Sequence, residues 1–116
     1  MSFAVETSDV AQAEIEAAFL SLFMRNPKFA ERWLEGLNRV IAGLDTFPGR
    51  HARVDKGGLQ GQKIRGALYR NGRTVYRILF MLLDADGDGE DDTVRVLRVL
   101  HGAQRPLGQP SDEDEP

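Results

Sequence analysis

A chain of 116 residues holds one domain with one modest core. It has no cysteine, so disulfides, thiolate nucleophiles and Cys-ligated metals are excluded, and it has no run of about 18 apolar residues from which to build a membrane-spanning helix. The N-terminal MSFAVETSDV lacks the basic start and apolar centre of a secretory signal, so a cytoplasmic protein is expected.

The first strand is expected at Phe3–Glu6, where polarity alternates. Thr7, Ser8 and Asp9 are N-cap candidates, and Asp9 with Gln12 has capping-box spacing. Ala11, Ile15, Ala18, Phe19 and Leu22 then recur at helical spacing, predicting a helix to about Met24. Asn26-Pro27 starts a second helix, since Asn can cap and Pro is preorganised for the first turn. Its stripe is Phe29, Trp33, Leu37, Val40, Ile41 and Leu44, ended by Pro48-Gly49. So short a link makes the two helices an antiparallel hairpin. Its aromatics, Phe19, Phe23, Phe29 and Trp33, read as core at this spacing.

Gly49–Gly61 is a polar connector containing Lys56. Three strand-like runs follow, the first two joined at Asn71-Gly72, both of which tolerate positive φ. Strand alternation puts Lys63 and Arg65 opposite Ile64 and Leu68. It also puts Val94, Val96, Arg98 and Leu100 on one face and Arg95, Leu97, Val99 and His101 on the other. The whole reads as an α+β fold, a helix hairpin on a small, mainly antiparallel sheet over residues 1–107. The acidic tail, 108–116, has nothing to bury and is expected to be disordered.

The net charge of −3 is unevenly spread: six acids crowd Asp84–Asp92 and four lie in Asp112–Glu115, leaving 8 acids against 15 Lys and Arg. Eleven of those bases lie between Arg50 and Arg105. A basic face of this kind suits nucleic acid or an acidic protein, and equally a merely solvated surface. Asp84-Ala-Asp-Gly-Asp-Gly89 matches the opening of an EF-hand loop, but position 12 is Arg95 where a bidentate Glu is needed. The loop is therefore read as a hydrophilic hairpin tip, with no metal and no other cofactor expected.

The segments FAERWLEGLNRVIAGLDTFPGRH (29–51), KIRGALYRNGRTVYRILF (63–80) and DTVRVLRVLHGAQRP (92–106), in this order, resemble the RelE/ParE superfamily of bacterial toxins, most closely its ParE-like, plasmid-stabilization branch. The resemblance spans about residues 3–107. It implies a toxin neutralised by a small cognate antitoxin, with a DNA-binding N-terminal part, whose C-terminal segment wraps the helix hairpin and sheet. ParE-like members poison DNA gyrase without hydrolysis; RelE-like members cut mRNA on the ribosome without a metal.

Metal-free RNA cleavage needs a base, an acid and a cation for the phosphate. By resemblance Arg73 is the phosphate contact, with Lys63 and Lys56 as further cations and His101 as the acid or base. The set is sparse, and no Tyr follows His101. Gyrase poisoning is therefore the leading expectation, a ribosome-dependent endonuclease the second, and a non-toxic antitoxin-binding module the third. The residues read as partner-facing are Lys63, Arg65, Arg73, Arg95, Arg98 and, on the hairpin, Trp33.

Overall fold

The computed structural model describes residues 2–54, 64–72 and 74–102. Strand β1 (Ala4–Thr7) leads into helices α1 (Asp9–Arg25) and α2 (Pro27–Ala42) and two 3₁₀ turns, Gly43–Asp45 and Pro48–Arg50. Strands β2 (Arg65–Asn71), β3 (Thr74–Leu83) and β4 (Thr93–His101) follow. The sheet order is β1-β4-β3-β2, with β1 parallel to β4 and the other pairs antiparallel. This is the expected α+β architecture. Lys56, Lys63, Arg73 and the 108–116 tail lie outside the described residues.

Capping differs from the expected Asp9–Gln12 box. Ser8 is the cap: its Oγ accepts the Ala11 N–H at 3.1 Å and donates to the Leu97 carbonyl at 3.0 Å. The Ser8 N–H also bonds the Val96 carbonyl, so β4 fixes where α1 begins. Asn26 serves both helices, ending α1 through its N–H to the Leu22 carbonyl and opening α2 through Oδ1 to the Phe29 N–H. Helix α2 stops at Ala42, not at Pro48. Glycine follows it, and the Asp45 carbonyl is taken by the Phe3 N–H, which turns the chain back to the sheet. Asn71 is still paired, with Thr74, so Gly72 at φ +66° supplies the left-handed turn position.

The helices cover one face of the sheet. Trp33, Leu37, Leu44, Ile78, Phe80, Val94 and Val96 are fully buried between the layers, each contributing about 1.5–3 kcal/mol. Trp33 stands edge-on to Tyr76, ring centroids 5.1 Å apart, and its carbonyl accepts the Tyr69 hydroxyl at 2.9 Å. This corrects its reading as a partner-facing residue: the side chain has no surface to offer.

The expected faces of β4 also need correction. Leu79 pairs with Arg98 but Phe80 pairs with Val96, so Leu97 is an extra residue in a bulge. Parity reverses there. Val94, Val96 and Val99 belong to the helix-side core, whereas Leu100 joins Ile64 and Leu79 in a small cluster capped by Val54, Met81 and Leu97.

Candidate functional site

The bulge brings His101 to the helix side of the sheet, directly across from Tyr76. The two rings meet edge-on with centroids 5.2 Å apart. They floor a groove of about 380 Å³ between the C-terminal half of α1 and the ends of β3 and β4. Ser21, Leu22 and Arg25 form one wall, Thr74 and Val99 the other, and Glu14 closes the inner end. Burial raises the Tyr76 phenol pKa, while the Arg25 guanidinium acts in the opposite direction. The groove therefore offers one guanidinium, three hydroxyls and an imidazole around an apolar floor. That set suits an anionic or hydrogen-bond-accepting group.

Glu14 is already engaged. Its Oε1 accepts the Val99 N–H at 2.8 Å and its Oε2 accepts Arg98 Nε at 2.7 Å. Arg98, expected to face a partner, is thus half-buried in an internal ion pair. Arg95 lies exposed across from Glu6 on β1 and pairs with its carboxylate at 2.5 Å. Arg65 turns toward the helix side, where its Nη1 donates to the carbonyls of Gly49 (3.1 Å) and His51 (2.7 Å). It clamps the chain after α2 and does not present an open cationic face. Lys63 and Arg73 fall outside the described residues. Of the expected catalytic set, only His101 is placed in the groove.

Two cations that sequence reading passed over occupy the far face of the sheet. Leu68 pairs with Arg77 and Arg70 with Val75, so all four side chains share that face. Leu68 is 56% exposed and Arg70 is also exposed, and neither arginine has an ion-pair partner among the described residues. Their signal was present in the alternation of ALYRNG against TVYR. On the groove side, Arg25, one residue before the Asn26 cap, and Tyr76 were likewise missed. Nothing in their sequence spacing links a helix terminus to a strand about 50 residues on.

His51 packs edge-on against Phe80 at 5.7 Å. Burial lowers its pKa, and the Arg50 and Arg65 charges lower it further. In the acidic loop, Asp84 accepts the N–H groups of Gly87 (2.8 Å), Asp88 (3.2 Å) and Gly89 (2.7 Å). The Gly89 bond leads in holding the Asp84 carboxyl pKa low. Oxygens of Asp84, Asp86, Asp88 and Asp92 lie within 4.8 Å of one another, but those of Asp84 are spent on closing the turn.

Residues 5–106 match the family described as ParE toxin of type II toxin-antitoxin system, parDE. No curated protein matches the chain. Among solved structures, one described as the chromosomal ParDE TA system from P. aeruginosa superposes with a TM-score of 0.62 at 12% identity, covering 86% of this chain and 96% of that one. At that identity the likeness concerns the fold. No helix among the described residues is long and apolar enough to cross a membrane.

Proposed function

Because the chain belongs to the ParE toxin family of type II toxin–antitoxin systems, we propose that it arrests growth by poisoning DNA gyrase through protein contact, and that a cognate antitoxin neutralises it. One observation carries the choice of gyrase over RNA. The described arginines read from the sequence as partner-facing are held elsewhere and do not reach His101: Arg65 holds main-chain carbonyls, Arg95 holds Glu6 and Arg98 holds Glu14, which leaves Arg25 as the one described guanidinium in its groove. A cleavage site needs unspent cations at the phosphate.

The antitoxin's acidic segment fits the far face of the sheet, where Leu68 supplies an apolar anchor between Arg70 and Arg77. Strand β2 is the edge strand beside it; Arg53 bridges its outer side at Arg65, and an extended segment can add beyond that point, along Leu68–Asn71.

The test is a pair of reactions with purified toxin. Trapped gyrase–DNA cleavage complexes and lost supercoiling are expected, with no mRNA cuts in a translation reaction. The second reading, a ribosome-dependent mRNA endonuclease, draws on the groove, where His101, Tyr76 and Arg25 stand together. Cuts at ribosomal A-site codons with unchanged supercoiling would reverse the assignment.

A further inference from the structure

Strands β2 and β3 contain three arginines and no acidic residue. Arg65 is spent on main-chain carbonyls, so the far face keeps the guanidinium groups of Arg70 and Arg77, beside the exposed Leu68, with no carboxylate on either strand to neutralise them. The sequence holds two dense acidic runs that could serve. One, Asp84–Asp92, joins the opposite end of β3 to β4, and its first member is seven residues along the strand from Arg77, about 23 Å away. The other, Asp112–Glu115, lies beyond the residues matched to the toxin family, 5–106.

The chain approaches this second run from the right place. Leu100 on β4 pairs with Arg77, and two residues later the Gly102 N–H bonds the carbonyl of Val75, the partner of Arg70. A Cβ at Gly102 would collide with that carbonyl, so glycine lets the chain press against β3 at the level of the patch. Arg77 is then one strand from β4 and Arg70 two, roughly 10 Å at about 4.8 Å per strand. Asp112 follows Gly102 by ten residues, a reach of up to about 33 Å, ample for the chain to turn back across the sheet.

We propose that this chain's own acidic segment, Asp112–Glu115, docks on the far face against Arg70 and Arg77, with Leu107 set on Leu68. Four carboxylates meet two guanidinium groups and one leucine meets another, so charge and apolar contact are both complementary. Each exposed ion pair is weak, but the tether replaces a second molecule. A short linker gives an effective concentration in the millimolar range, so a contact of about millimolar strength is roughly half formed. The far face is also the one proposed above for the antitoxin. Resting on that reading, the segment contests the antitoxin's acidic part for the same two arginines and screens them from other anions.

A nitroxide on the full chain tests the docking without any partner. The chain has no cysteine, so Ser111→Cys gives a single label beside the acidic run. At low salt it should broaden the Leu68 methyl and the Arg70 and Arg77 Nε–H resonances most. The effect should vanish at about 1 M salt, where the screening length is near 3 Å, and in Arg70→Ala/Arg77→Ala. No selective broadening at low salt overturns the proposal, and so does broadening greatest at Ser21 and Arg25, which would put the segment in the groove. Neutralising the run (D112N/E113Q/D114N/E115Q) should speed antitoxin association about threefold at low salt, and hardly at all in the Arg70→Ala/Arg77→Ala background. Equal acceleration in both backgrounds would be plain repulsion between two acidic chains and overturns the proposal. Broadening as expected, with association indifferent to both sets of changes, upholds the docking and removes the antitoxin from this face.

Discussion

Glu14 reaches from α1 to β4 and takes the Val99 N–H at 2.8 Å. Strand β1 ends its pairing with β4 at Val96, so beyond that point no strand among the described residues lies beside the edge of β4. Side chains of the α1 N-terminal half replace that strand: Ser8 serves the Leu97 carbonyl and Glu14 serves the Val99 amide. The same carboxylate neutralises Arg98. One side chain therefore locks the bulge, places Val99 in the core and sets the inner end of the groove.

Glu14→Ala strands a half-buried guanidinium and an amide together. We expect a loss of about 2 kcal/mol in urea unfolding, with Glu14→Gln losing less because an amide oxygen still accepts from Val99. Equal losses in the two variants would show that the hydrogen bond is not what matters.

Gly36 lies where α2 meets Tyr69. A Cβ at Gly36 would run into the Tyr69 hydroxyl, which bonds the Trp33 carbonyl one turn earlier. In an open helix Gly→Ala gains about 1 kcal/mol. Here Gly36→Ala should instead destabilise by about 1–3 kcal/mol, as overpacking does. Tyr69→Phe alone should cost about 1 kcal/mol, and combined with Gly36→Ala should cost less than the two separately, because the clashing atom is gone. Additive losses in a double-mutant cycle would contradict this account.

Acid should loosen the contact between the turn after α2 and the sheet. Burial, with Arg50 and Arg65, holds the His51 pKa below its ordinary value. The unfolded chain therefore takes up the proton first as pH falls. The contribution is complete above the ordinary histidine pKa of about 6.5 and is lost as pH falls through the folded value. His51→Phe keeps a ring against Phe80, and its melting temperature should vary less than the wild type's between neutral and mildly acidic pH. Identical slopes in the two proteins would remove His51 from the explanation.

The far face and the Arg65 clamp should separate cleanly. Arg70→Ala with Arg77→Ala should slow antitoxin association and flatten its salt dependence while leaving thermal stability nearly unchanged. Arg65→Ala should do the reverse, lowering stability through the freed Gly49 and His51 carbonyls. Stopped-flow association at low and high salt, with melting curves beside it, distinguishes the two.

At the acidic tip, Asp84 is the structural residue. Asp84→Ala should broaden the amide resonances of Gly87 and Gly89, which bond to its carboxylate. Calcium and magnesium at matched ionic strength should shift the melting temperature equally, since the oxygens of Asp84 already serve backbone donors. A rise of several degrees with calcium alone, lost in Asp86→Ala, would establish a selective cation site.

Local rules read from the sequence carried the fold a long way. Asn26-Pro27 both closes and opens a helix, and the stripe from Trp33 to Leu44 does face the sheet, because helical periodicity and capping depend on neighbours within one or two turns. Three decisions needed tertiary structure. Ser8 displaced Asp9 as the cap because β4 carbonyls hold it, a contact spanning 89 residues. A one-residue bulge at Leu97 reversed the predicted faces of β4, sending Leu100 away from the helices and His101 toward them, since strand parity counts residues and a bulge adds one. And the arginines that looked available for an anion were shared out among Glu6, Glu14 and two carbonyls, while Arg70 and Arg77 have no ion-pair partner among the described residues. A guanidinium's partners are fixed by which strands become neighbours, and no periodicity along the chain records that.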